Sequence, residues 1–304
     1  MVESARSVRP LDDNAPVKLG RVGAWLGSIG LLPAAAERDA VRELERLGFG
    51  TIWFGESPSN KEALSHAALL LDATESVRVA TGIASIWLRS PAAARNGALT
   101  LGEAHPGRFA LGLGVSHAPL VSLLGREYAR PLTAMREYLE AMDGIDYRAT
   151  PPAVPVPRLL GALAPRMLEL ARDRADGAHP YLVTVEHTWQ AREILGAGPL
   201  LAPEQGFVLE TDPGRARAVA REHLAYYAGA ENYRRSWLRL GFGEDEIGAL
   251  SDRLVDALVA WGGPEAVAAR VEEHLAAGAD HVALQALGSE PVDQLRRLAP
   301  ALGL

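Results

Sequence analysis

The chain contains no cysteine. That single absence excludes disulfides, thiolate metal sites, iron–sulfur clusters and cysteine nucleophiles together. It also has no apolar run approaching the roughly 18 residues that a membrane helix needs. The opening segment MVESARSVRPLDDNAPVKLG has no apolar core of the kind a secretory signal carries. These absences predict a cytoplasmic protein. Positive charge is not in excess: 31 − 38 gives a formal charge of −7, which argues against a nucleic-acid surface. Metal-ligand spacing such as H-E-x-x-H does not occur, so no metal site is expected. What is left is an enzyme or binding protein for a small molecule, with neither nucleic acid nor membrane as partner.

What is present is rhythm. Residues 1–18 mix charges with Pro10, Asp12, Asp13, Asn14 and Pro16 and read as a flexible tail, leaving 19–304 as one domain. After it, short apolar runs alternate with helical patterns. Strands are expected at 21–26, 51–55, 77–84, 108–114, 158–163, 179–184, 206–211 and 280–287. Helices are expected between them, with Gly48 and Gly278 as left-handed stops and Ser90-Pro91 as a cap followed by a first-turn proline. The proline-rich segment 150–157 is an extended connector. Residues 213–261 read as helical throughout, broken near Gly229 and Gly241. The strands lack polar alternation, as strands buried on both faces do in a parallel sheet. Eight strands in 304 residues predict an α/β fold: a single-domain TIM (β/α)8 barrel with extra helices between strand seven and helix eight. A doubly wound open sheet is the competing architecture.

In such a barrel, chemistry belongs to the loops after the strand C-termini. The fourth strand alternates large Phe109, Leu111 and Leu113 with small Ala110, Gly112 and Gly114. One face is thus bare enough for a flat ring, or simply fills a tapered barrel. Gly112–His117 lacks the third glycine of a dinucleotide fingerprint. Gly114-Val115-Ser116-His117-Ala118 narrowly misses the hydrolase elbow G-x-S-x-G, and its candidate partners Asp280 and His281 lie far downstream. His117 is a candidate acid or base. Glu56 is either a carboxylate at the mouth or a cap for the next helix. Leu163-Ala164-Pro165-Arg166 opens a helix whose first turn should offer free N–H groups at Arg166 and Met167 to an anion, with Arg166 as an added cation. Gly82, inside strand three, marks a bulge or a close approach. Trp25 and Trp53 are candidates for a hydrophobic substrate pocket.

The run VRVATGIASIWLRSPAAARNGALTLGEAHPGRFALGLGVSHAP (77–119) resembles the signature stretch of the luciferase-like monooxygenases. Thr81-Gly82-Ile83, Arg89-Ser90-Pro91, Thr100-Leu101 and Gly107-Arg108-Phe109 through Gly114 carry the likeness. RLLGALAPRMLELA and DRLVDALVAWGGPEAVAARVEEHLAAGADHV look closest to the coenzyme F420-dependent branch. The resemblance implies a cofactor, F420 or alternatively FMN, at the C-terminal mouth of the barrel. It implies a non-proline cis peptide at Gly82-Ile83, ring contacts from Gly114, Val115 and Ser116, and a phosphate at Leu163, Ala164 and Pro165. It implies hydride transfer between F420 and a small organic substrate, with an FMN monooxygenase or a non-catalytic flavin-binding barrel as alternatives, and a homodimer. Relatives with a histidine after strand two differ here, where the chain reads Trp53-Phe54-Gly55-Glu56-Ser57, so His117 is the candidate to take over proton handling.

Overall fold

A computed structural model describes residues 18–304. All but the last residue of the expected tail therefore lies outside the described residues. The chain runs β1 (Val22–Trp25), α1 (Ala34–Arg46), β2 (Thr51–Phe54), α2 (Ala63–Asp72), β3 (Arg78–Thr81), β4 (Ala84–Ser85), α3 (Pro91–Ala104) and β5 (Phe109–Gly114). It continues through α4 (Ala118–Ser122), α5 (Pro131–Asp143), β6 (Arg158–Leu160), α6 (Pro165–Arg174), β7 (Gly177–Ala178), α7 (Val185–Leu195), β8 (Leu200–Leu201) and β9 (Glu204–Val208). It closes with α8 (Pro213–Ala228), α9 (Glu231–Arg239), α10 (Glu244–Gly248), α11 (Asp252–Leu258), β10 (Val259–Trp261), α12 (Pro264–Ala276), β11 (Val282–Ala286) and α13 (Pro291–Leu298).

Every strand pairing is parallel. β8 pairs with β7, and β9 pairs with β11, which pairs with β1. β8 and β9 are one strand in two pieces: Ala202 N–H donates to Ala178 O at 2.9 Å, and Ala283 N–H donates to Pro203 O at 2.9 Å. The ladder therefore closes on itself, and the TIM barrel expected from the alternation is the observed fold. Extra helices α8 to α11 follow strand seven, as expected, with α8 ending at Gly229 and α9 just before Gly241.

The side-chain alternation sorts the core into layers. Trp25, Trp53, Ala80, Ala110, Leu159, Ala202 and Ala283 fill the barrel interior. Phe109, Leu111 and Leu113 pack outward on the helices with the main core. The inserted helices build a third cluster around Leu182, Leu224, Tyr233, Trp237 and Leu254 beside the mouth. Helix starts follow their capping chemistry: the Ser90 hydroxyl accepts from Ala93 N–H with Pro91 next to it, and Thr184 and Asp212 cap α7 and α8 in the same way.

Three elements differ from the sequence reading. Strand six is at 177–178, not 179–184. The segment 179–184 leaves the ladder because Leu182 adopts φ +53, a left-handed turn. Strand seven spans 200–208, earlier than the expected 206–211. The stretch read as helical through 261 ends in β10, which extends the β9 edge at Gly206, Phe207 and Val208.

Candidate active site

The mouth is shaped by a bulge in the third strand. Ala80 pairs with Ala110, and Ala84 pairs with Leu113, so three residues between the pairs on one strand oppose two on the other. Thr81 repairs the ladder there: its hydroxyl donates to Gly112 O at 2.8 Å and accepts Gly112 N–H at 2.9 Å. The peptide between Gly82 and Ile83 is cis, at the expected position.

The glycines opposite the bulge are not a bare wall. A Cβ at Gly112 would collide with the Thr81 carbonyl oxygen, and one at Gly114 would run into the Ile83 side chain, which also covers Gly161. Their smallness makes room for the bulge itself, and any ring must rest against Ile83. Val115 turns its carbonyl to Trp87 Nε1 at 2.7 Å, and Ser116 takes φ +57, which turns the chain toward α4. The hydrolase alternative fails on geometry. Its candidate partners are engaged elsewhere, His281 with Trp53 and Gly20, and Asp280 with Arg192.

Polar groups converge on the inner face above the bulge. A Cβ at Gly82 would stand 2.6 Å from Trp25 Nε1 and 2.8 Å from His179 Nε2. His179 Nδ1 is 2.7 Å from Ala202 O, so Nδ1 carries the proton and Nε2 is the bare acceptor. Burial pushes this imidazole down to about 4, keeping it neutral. Tyr181 packs on Trp25 with ring centres 5.3 Å apart. Its hydroxyl donates to Gln285 Oε1 at 2.9 Å and meets His223 Nε2 at 3.1 Å and Tyr227 at 3.2 Å. Glu204 lies fully buried on the inward side of β9, where burial lifts its carboxyl to about 8. Among the described residues, Trp25 Nε1, His179 Nε2, Glu204 Oε1 and His117 Nδ1 are buried without a hydrogen-bond partner.

His117 packs at 5.3 Å from Tyr233 and 6.3 Å from Tyr227, on the rim of this cluster. Burial lowers its pKa, and the Asn232 side chain partly offsets that. The structure thus brings His117, Trp25 and the bulge together with His179, Tyr181, Glu204, Tyr227 and Tyr233, none of which the sequence reading named.

Other expected site residues stand elsewhere. Trp53 lies wholly inside the barrel, stacked on His179 at 4.3 Å, with Nε1 donating to His281 Nε2 at 2.9 Å. These contacts make it part of the barrel core rather than a pocket wall. Glu56 is the cap and clamp, not an acid: its oxygens accept from Ala63 N–H at 2.9 Å, Ser85 N–H at 2.8 Å and both Arg89 amino groups. At the start of α6, Met167 N–H is taken by Ala164 O at 2.9 Å and is not free. Arg166 lines a surface cleft of about 300 Å³ with Arg136 and Glu169. The cation at this turn is Arg239 of α9, which donates to Leu163 O at 3.3 Å beside His187 at 3.1 Å. Among the described residues there is no cluster able to hold a metal ion, and no helix long and apolar enough to cross a membrane.

Comparison with known proteins places this geometry. The family model described as luciferase-like monooxygenase matches residues 17–281. The chain is 25% identical over 280 residues to 5,10-methylenetetrahydromethanopterin reductase of Methanolobus tindarius, covering 78% of this chain and 86% of the relative. It is 25% identical over 343 residues to a Mycobacterium tuberculosis protein named as a coenzyme F420-dependent oxidoreductase, covering 91% and 98%. An F420-dependent secondary alcohol dehydrogenase, solved with an F420–acetone adduct, superposes with a TM-score of 0.73 over 93% of this chain and 98% of its own. At 15% identity that likeness is one of fold.

Proposed function

Since the chain belongs to the luciferase-like monooxygenase family, we propose that it is an oxidoreductase passing hydride between coenzyme F420 and a small organic substrate. One observation carries the reading: the bulge at Gly82-Ile83 opens onto a mouth where four buried polar atoms, on Trp25, His117, His179 and Glu204, lack partners. Buried polar groups are normally satisfied, and a planar, polar cofactor at the mouth would supply partners for these four atoms. The names of the F420-dependent relative and of the F420-bound structure support the same cofactor.

Within this reading, Gly82 and Ile83 would hold the ring together with Val115 and Ser116, while Gly114 contributes by making room for Ile83. The turn Leu163, Ala164 and Pro165 receives the phosphate, with Arg239 rather than Arg166 as the nearby cation. Trp25 faces the substrate side. The cofactor supplies two-electron hydride chemistry, and the chain supplies orientation, water exclusion and proton handling. His117, held neutral by burial, is a proton acceptor at the rim. We include in the proposal a homodimer, which sedimentation tests, and a cytoplasmic location, which cell fractionation tests.

The test is titration of the purified protein with F420 and, separately, FMN, read by cofactor fluorescence and absorbance. Saturable F420 binding with no FMN binding supports the assignment. Binding of reduced FMN with oxygen uptake instead favours the second reading, a monooxygenase, which the family's own description supports. Binding of neither defeats both. Under the first reading, His117→Ala lowers kcat while leaving F420 affinity within a few-fold.

A further inference from the structure

Glu204 is a carboxyl in a place where carboxyls are not normally found. It sits on β9 between Ala202, which packs inside the barrel, and Gly206. Its neighbour Gln205 points the other way, with its Oε1 2.8 Å from His274 Nε2 and its amide donating to Leu258 O. Glu204 therefore faces the barrel axis near the C-terminal mouth. Gly206, two residues on and on the same face, has no side chain to cover it; a Cβ there would come within 3.4 Å of Glu204 Oε1.

The two oxygens have different tasks. Oε2 accepts Leu182 N–H at 3.0 Å. The next carbonyl, Leu182 O, accepts from Trp237 Nε1 at 3.2 Å. The left-handed turn that presents Tyr181 is thus pinned at both sides of Leu182. Oε1 is buried with no partner. The titratable groups around it are Tyr181 of the turn after β7, Tyr227 of α8 and Tyr233 of α9, with His223 of α8 one hydrogen bond further along at Tyr181. No Lys or Arg contributes to its titration, and burial alone raises it. No purely structural need accounts for an acid here, since a glutamine would accept Leu182 N–H equally well.

We propose that Glu204 is the catalytic acid of the mouth, donating from Oε1 the proton that accompanies hydride delivery to an uncharged carbonyl or imine substrate. This rests on the oxidoreductase reading above. With a reduced deazaflavin or flavin as the hydride source, the carbon of the polarised double bond gains hydride and its π electrons move to the heteroatom. The Glu204 O–H bond breaks, an O–H or N–H bond forms on the substrate, and carboxylate is left behind. Solvent returns the proton. In the oxidising direction the same carboxylate takes it. His117, which burial keeps neutral, is an acceptor and complements this donor. Among the described residues no Lys or Arg shifts this acid, so its surroundings suit a neutral substrate and disfavour an anionic one.

The experiment compares wild type, Glu204→Gln and Glu204→Asp. Carbon-13 NMR of glutamate-labelled, cofactor-free protein follows the carboxyl resonance that Glu204→Gln removes. The expected resonance is protonated at neutral pH and titrates near 8. Adding F420 should move that midpoint by about one unit or more, because a ring bound in the mouth would change the surroundings of the unpartnered Oε1. Glu204→Gln, whose amide still offers a polar atom at this position, should keep F420 binding within about 10-fold, yet lose about 100-fold or more in kcat for reduction of acetone or another neutral ketone, with the alkaline limb of the pH profile gone. Glu204→Asp should restore part of both. A midpoint unmoved by bound F420, or a glutamine variant with wild-type kcat and pH profile, overturns the inference. Failure of wild type to bind either cofactor is a different result: it removes the oxidoreductase reading, and this inference with it.

Discussion

Glu204 also allows a test that needs no cofactor. Its carboxyl is fully buried, and burial lifts it from 4.5 to about 8. One unit of difference between folded and unfolded chain corresponds to about 1.4 kcal/mol. The folded value is the higher one, so the folded chain binds the proton more tightly. The contribution favours folding below the unfolded value and is lost as pH rises through 8. Integrated from about pH 5 to about pH 9, the loss is about 4 kcal/mol. Glutamine has nearly the same shape, keeps an acceptor for Leu182 N–H, and does not titrate. Urea denaturation of wild type and Glu204→Gln across that range therefore isolates this one group, since the other titrations cancel. The variant should match wild type to within about 1 kcal/mol at the acid end and exceed it by about 4 kcal/mol more at the alkaline end. A difference that stays flat with pH would mean that Glu204 is solvated, and the argument for its burial and its acid role would go with it.

Three further outcomes follow from the geometry. Trp53→Phe leaves His281 Nε2 without its donor and should cost about 1–3 kcal/mol in urea denaturation while F420 affinity is unchanged, because Trp53 is barrel core. Glu56→Gln breaks a carboxylate–guanidinium pair whose side chains are 2% and 5% exposed; it should cost about 3 kcal/mol, the lower end for buried pairs because Glu62 still holds Arg89, with no change in the pH profile of turnover. Gly112→Ala puts a methyl against the Thr81 carbonyl, and thermal melting should show a loss of at least about 1–3 kcal/mol together with loss of F420 binding.

The barrel was legible because its cause is local. Strands covered on both faces must be apolar throughout, and the helices between them announce their ends through Ser90-Pro91, Gly48 and Gly278. The misplaced elements are those where tertiary partners decide. The apolar run HPYLVT reads as a strand, but Leu182 is pulled into a left-handed turn by hydrogen bonds to Glu204 and Trp237, which are 22 and 55 residues away. β10 is too short to interrupt the helical pattern on either side, and it forms because β9 has a free edge beyond β7.

The site divides along the same line. Of the candidate residues that the structure brings together, Gly82 and His117 were named because they adjoin a strand end, and the Gly82-Ile83 peptide because the family resemblance implies it. Glu204 was not, because a single glutamate in PEQGFV looks like a solvated loop residue until β9 is shifted toward the N-terminus. The register then settles the matter: once Ala202 packs in the interior and Gln205 bonds outward to His274, position 204 can only face the axis. Placing the start of β9 at 206 instead of 204 moved the most perturbed carboxyl among the described residues from the strand that lines the mouth into the loop before it. In a barrel, where every second residue of a strand faces the axis, candidate acids should be sought by register within each strand as well as in the loops that follow it.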